Sequence, residues 1–206
     1  MSRQQRVGAA SRQATRDRLL QAAGVEFAAR GYAAATVSRI AAAADVSLQT
    51  LYLAWGSKRA LLRAYLERAL ADGRGSPAEA AERFTGKDAR QRLEELARAV
   101  AEVSDHAASG WALYRDAAAV DAEIAADWNQ LQLLRRGLVE RAVGDIPLRE
   151  LRDGLTSAQA VDTAWVITSP DSYDLLVHRL GYSRDDFAEW MRRTLFASLL
   201  PSGVVS

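Results

Sequence analysis

The chain has 206 residues, 49% of them hydrophobic, with 41 alanines, 13 glycines, four prolines and no cysteine. That balance favours helix over sheet. It excludes disulfides, cysteine-ligated zinc, iron–sulfur clusters and thiol catalysis. The net charge of +1 hides an asymmetry: residues 1–66 carry ten bases against three acids, a surplus of seven, and residues 67–206 carry 17 bases against 23 acids, a deficit of six. A basic head on an acidic body suits a polyanion.

Residues 1–12 are polar and aperiodic and are expected as a disordered basic arm. Thr15 to Arg30 reads as the first helix, with Leu19, Leu20, Ala23 and Phe27 on its inner side and Gly31 as its stop. Thr36 then caps a short helix, Val37 to Ala44, with Val37, Ile40, Ala41 and Ala44 facing inward. After an Asp45-Val46 turn, Ser47 caps a second short helix through Ala54, and Gly56 breaks it. Ser57 caps a fourth helix that runs to about Ala71. The breaker-rich stretch 72–77 is the best linker candidate.

Longer helical patterns follow at Asp88 to His106, Trp111 to Val120 and Asp121 to Val143. Gly144 to Gly154 reads as loop. Thr156 and Gln159 form a capping box opening a helix to Thr168. Ser169-Pro170 starts another, ending at Gly181. Ser183 caps the last, to Leu200. The fold class expected from these patterns is all-α, with a helical head at 13–66 that contains a helix-turn-helix pair and a helical body at 67–206.

The pair of short helices carries the functional argument. Leu51 and one edge of Tyr52 suffice to dock the second of them. Leu48, Gln49, Thr50, Leu53 and Ala54 are then left for another surface. A short helix of that kind fits the DNA major groove, where Gln pairs with adenine and methyl groups meet thymine. Ser57-Lys58-Arg59 puts two cations in the first turn of the fourth helix, the wrong sign for the helix dipole. The arrangement makes sense if a phosphate arrives there. Thr36, with Ser38 and Arg39, offers a weaker site of the same kind.

Residues 15–66 resemble the DNA-binding domain of the TetR family of transcription regulators. The resemblance is carried by Ala22-Ala23, Phe27, Gly31-Tyr32, Thr36-Val37, Ile40-Ala41, Ala44, Val46-Ser47, Thr50-Leu51-Tyr52, Ser57-Lys58 and Leu61-Leu62. It implies that Thr36, Tyr52 and Lys58 contact backbone phosphates and that residues 47–52 sit in the major groove. It also implies a helical body that dimerises and binds an effector. Three positions depart from the family pattern. Asp45 stands where glycine is usual, Gln49 where a small residue is common, and Ala54 where a polar contact is usual.

The DNA-binding candidates are thus Thr36, Ser38, Arg39, Ser47, Leu48, Gln49, Thr50, Tyr52 and Lys58. Large aromatics with a polar handle suit both a core and a small-molecule pocket. On that ground Trp111, Tyr114, Arg115, Trp128, Trp165 and Thr168 are the effector-pocket candidates. The last helix carries a wide apolar stripe, which periodicity alone allows to serve either its own core or a partner. Val161 and Trp165 with Phe187, Trp190, Met191, Leu195 and Leu199 are the dimer-interface candidates. No catalytic constellation, metal site or cofactor motif is readable, and no run of 18 apolar residues suggests a membrane span. The expected protein is a cytoplasmic homodimer that binds a double-stranded operator and responds to a small molecule. The competing classes are an all-helical enzyme or carrier with a basic surface, and an architectural DNA-binding protein without a ligand.

Overall fold

The computed structural model describes residues 3–72 and 82–201, and among them there is helix but no strand. The helices are α1 (Arg3–Ala34), α2 (Val37–Ala43), α3 (Leu48–Trp55), α4 (Lys58–Asp72), α5 (Ala89–Ala118), α6 (Ala122–Val143), α7 (Ser157–Ile167), α8 (Pro170–Tyr173) and α9 (Arg184–Leu199). A 3₁₀ turn spans Leu148–Glu150, and a π-helical turn, Asp174–Arg179, continues α8. No helix among the described residues is long and apolar enough to cross a membrane. Of the expected linker, only Asp72, the end of α4, lies inside the described residues.

The chain forms two units. The first is Met1–Ala69 with Ser109–Trp128, and the second is Leu70–Ala108 with Asn129–Ser206. This corrects the simple division at residue 66, because the first unit reclaims the end of α5 and the start of α6. It also corrects the expected break between His106 and Trp111. Gly110 does not end a helix there; it permits a close crossing. A Cβ on Gly110 would stand 3.1 Å from Leu66 Cδ1 and 3.4 Å from Leu66 Cα.

In the first unit, Leu19, Leu20, Ala23 and Phe27 of α1 are buried together with Ile40, Ala41, Ala44, Leu51, Leu61 and Leu62. Gly31 lies at φ 68° and ψ 170°, so the regular run of α1 stops at Arg30 as its sequence demands. The helix nevertheless starts at Arg3, where a disordered arm was expected. Residues 3–12 lack an apolar face, but they hold no proline and are rich in Arg, Gln and Ala, which are good helix formers.

The second unit packs α7 and α9 around one core. Val139, Ile146, Leu151, Ala160, Val161, Ala164, Phe187, Met191, Leu195 and Leu199 belong to it. Local signals set the helix starts. Thr156 with Gln159 and Ser183 with Asp186 each form a reciprocal capping box, and Ser169 accepts from Asp171 N ahead of Pro170.

Candidate nucleic-acid interface

The α2–α3 pair is held by its turn and its caps. Thr36 Oγ1 accepts from Arg39 N at 3.3 Å, and Ser47 Oγ accepts from Thr50 N at 3.0 Å. Asp45 adopts φ 53°, the left-handed conformation that Asp tolerates better than most residues. Leu51 is fully buried and anchors α3. Leu48, Gln49 and Tyr52 are exposed and Thr50 is half-buried, while Leu53 is 81% exposed. α3 therefore presents one continuous face, Leu48-Gln49 with Tyr52-Leu53, that its own unit does not use.

The polar candidates around that face play local roles as well. Thr36 and Ser38 are exposed. The Thr36 hydroxyl caps α2 as an acceptor, which leaves its own hydrogen to donate. Ser47 Oγ and Thr50 Oγ1 lie 2.8 Å apart. Arg39 is tied down: it pairs with Glu26 and donates to the Ala34 carbonyl. Glu26 also accepts from Thr36 N, and the Arg39 hydrogen bond holds its carboxyl below the usual range.

Lys58 sits differently from the free cation its sequence suggested. Its ammonium donates to the Tyr32 carbonyl at 2.8 Å and to the Ala35 carbonyl at 3.1 Å, and lies 4.2 Å from the centre of the Tyr32 ring. Burial pushes its pKa down. An ammonium has three donors, so one remains for a phosphate.

Arg59 corrects the dipole argument. Its cation is answered inside the first unit, by Asp127 through Nε at 2.7 Å and Nη2 at 2.8 Å, and by Glu123 through Nη1. The sequence contains no cue for this, because 64 and 68 residues separate the partners.

One further residue belongs here that the sequence does not mark. The Arg16 guanidinium lies 3.8 Å from the centre of the Trp55 ring and donates to the Ala54 carbonyl at the end of α3. Arg16 thereby puts a cation beside the end of α3. A basic residue on the outer face of α1 was the only available signal.

Comparison with known proteins agrees with this geometry. Residues 19–65 match the family described as bacterial regulatory proteins, tetR family. That match spans the helices from α1 to α4 and under a quarter of the chain. Among solved structures it is similar to NalD from Pseudomonas aeruginosa, described as the secondary repressor of the MexAB-OprM multidrug efflux pump. That likeness has 20% identity and a TM-score of 0.72, covering 92% of this chain and 98% of that one. It is similar to SmeT in complex with triclosan, at 20% identity and TM-score 0.71 over 94% and 95% of the two chains. A TetR-like regulator from Rhodococcus sp. RHA1 matches at 21% identity and TM-score 0.57, over 88% and 93%. At such identities the likeness establishes the fold. No curated protein matches by sequence.

Beyond the matched segment, the effector candidates fall into two groups. In the first unit, Trp128 meets Trp111 edge-on at 5.5 Å and stacks on Tyr114 at 6.4 Å. Trp111 and Tyr114 are buried. The Tyr114 hydroxyl donates to Asp127 Oδ2 at 3.2 Å, and burial raises its pKa. Arg115 is half-buried and contacts Asp116 at 3.4 Å. Trp165 and Thr168 belong to the second unit, where both meet Arg135.

The dimer candidates need the largest correction. Val161, Phe187, Met191, Leu195 and Leu199 are buried in the core of their own unit, and Trp190 stacks on Phe187 at 6.0 Å. The stripe on the last helix is wide enough to make a core, and it does so. Trp165 is only half-buried, and beside it Val166 remains exposed.

Proposed function

We propose that the chain is a homodimeric transcription repressor, acting in the cytoplasm, whose operator affinity is modulated by a small-molecule effector. The observation that carries the reading is α3: an eight-residue helix docked through Leu51, with Gln49, Leu48, Tyr52 and Leu53 turned outward and cations nearby. Such a helix presents a hydrogen-bonding amide and methyl groups to base edges. Thr36, Ser38, Ser47, Thr50, Tyr52 and Lys58 supply donors for phosphates on either side. Arg39 and Arg59 hold the domain together rather than meeting DNA first.

The dimer is proposed from the geometry of helix-turn-helix readout. One short recognition helix reads too few bases, so a two-fold partner on a symmetric operator is expected. The effector is supported by the name of one solved relative, the SmeT complex with triclosan. Selection from random duplexes with the purified protein tests the reading. An inverted repeat with half-sites one or two helical turns apart is expected. Enrichment of no sequence over non-specific DNA at low and moderate salt would refute it.

A further inference from the structure

Arg135 of α6 is a cation whose donors are only partly used. Nε donates to Gln132 Oε1 at 3.1 Å. Nη1 donates to the Trp165 carbonyl at 2.9 Å and the Thr168 carbonyl at 3.4 Å, with Thr168 Oγ1 at 3.5 Å. These groups close the C-terminus of α7, so the cation also meets the negative end of a helix dipole. Nη2 carries two N–H groups and has no acceptor among the described residues. No carboxylate forms an ion pair with this guanidinium there. Asp171, in the first turn of α8, acts on it only at longer range and is outweighed by burial, which pushes the guanidinium down to about 10. It therefore stays charged at neutral pH.

A second donor stands beside it. The guanidinium lies 4.8 Å from the centre of the Trp165 ring. Trp165 Nε1 is itself buried with no acceptor. Buried donors are nearly always paired, so an orphan next to an underused cation calls for a reason. A carboxylate supplies one: it is acceptor-only, has two oxygens, and matches the planar fork of arginine. Thr168 Oγ1 does not compete for it, since that hydroxyl donates to the Ala164 carbonyl at 2.7 Å. The hydrophobic cluster against which Trp165 packs favours an apolar body behind the acid.

We propose that Arg135 and Trp165 bind the carboxylate of a small organic acid with an apolar body. This acid is the effector class of the repressor, a role that rests on the function proposed above. Occupancy would give Nη2 and the indole N–H their missing acceptor.

The test uses the full-length protein and a panel of straight-chain acids from butanoate to dodecanoate, with benzoate and phenylacetate. Each acid is paired with its matched alcohol, and inorganic phosphate is included. Calorimetric titration is expected to find at least one acid that saturates the protein and binds about tenfold or more tightly than its alcohol. Trp165→Phe keeps an aromatic face under the guanidinium and removes the orphan N–H together with part of the indole ring. It should stay folded without ligand, at some cost in melting temperature from the lost ring atoms, and bind the acid several-fold more weakly. Arg135→Gln should erase the preference for acid over alcohol; if it does not fold, Trp165→Phe decides alone. No binding from the whole panel at about 10 mM, equal binding of acid and alcohol, tighter binding of phosphate, or full acid affinity in Trp165→Phe would overturn the site. Operator affinity measured in parallel separates the two ideas. An acid that binds without changing DNA affinity overturns the effector role, and a protein that selects no operator but binds acid overturns only the regulator.

Discussion

Lys58 holds a local structural place and is also proposed to meet a phosphate. The sequence marks it as a cation at a helix start, and a phosphate contact is the natural reading. Its two carbonyl acceptors and the Tyr32 ring could not be read from sequence, since they lie 23 and 26 residues away. They aim the ammonium and partly bury it. Lys58→Ala is therefore expected to act twice. It should weaken binding to all duplexes alike and lower the salt slope by roughly 1, as loss of a phosphate contact does. It should also destabilise the free protein by about 1–3 kcal/mol, because two carbonyls lose a charged donor. Fluorescence anisotropy across a salt series and thermal melts without DNA check the two halves. A variant that melts like the parent would show that the carbonyl contacts contribute nothing. Gln49→Ala, on an exposed side chain of α3, should instead leave stability alone and change base preference in a duplex selection.

Asp127 is the residue-scale counterpart, joining Arg59 of α4 to Tyr114 of α5. The Arg59 hydrogen bonds hold its carboxyl below the ordinary 3.8, with Tyr114 adding to the effect. A carboxylate depressed in the folded state stabilises that state fully above its unfolded pKa. The contribution disappears as pH falls through the lower folded value. Asp127→Asn should thus melt below the parent at pH 7, and the gap should close as the pH drops below about 4. Melting curves at pH 7, 5 and 3 follow this. A gap that is the same at all three values would mean that the ion pair is not its source.

At the scale of elements, what the sequence announces is local. Thr36, Ser47, Thr156, Ser169 and Ser183 all cap helices in the structure, because a cap needs only a side-chain oxygen two or three residues before its N–H. The inner faces of α1, α2 and α3 were likewise legible from spacing alone. Glycines were read less well, since a glycine inside a helical pattern can mean a stop or a crossing, and only the neighbouring helix decides. Gly31 is a stop, with its positive φ. Gly24 is a crossing: a Cβ there would stand 2.7 Å from Tyr65 Cε2. Alanine usually improves a helix by about 1 kcal/mol over glycine. Gly24→Ala should do the opposite, costing about 1–3 kcal/mol, because the Tyr65 ring must swing away and give up its 3.2 Å contact with Ser109. In a Tyr65→Ala background the same change should become neutral or favourable, and denaturant melts of the four variants read the difference. Apolar stripes pose a similar ambiguity. The stripe of α9 could serve a core or a partner, and periodicity cannot distinguish them. With Leu195 fully buried, Leu195→Ala should lose about 2–5 kcal/mol of stability rather than dissociate a folded protein.

At the scale of the whole molecule, the charge asymmetry and the match of residues 19–65 to the tetR-family model both fit the proposed reading, a basic head that meets DNA and an acidic remainder with other work. With five of the seven candidate dimer residues buried in the core, the question is which face a partner would cover. Four of the exposed apolar residues of the second unit suggest one. Leu133 is 61% exposed, Leu134 66%, Leu138 38% and Val166 62%. Leu133, Leu134 and Leu138 share α6, and Val166 lies on α7. The Arg136–Asp162 pair, 2.6 Å, joins the two helices one turn from Leu133 and Val166. Single exposed aliphatics need no explanation, but several on two adjoining helices mark an interaction surface. A two-fold dimer is self-complementary, so one such face per chain is enough. Val166→Asp would place a charge at that seam without touching the core. It should give a folded monomer by sedimentation, with the parent's melting behaviour at low concentration and much weaker binding to a two-fold operator. Ala158→Asp, on the exposed N-terminal turn of the same helix, serves as the control for added charge and should stay closer to the parent. If Val166→Asp remains a dimer with full operator affinity, the partner sits on another face, and the exposed aliphatics of α6 and α7 serve something else.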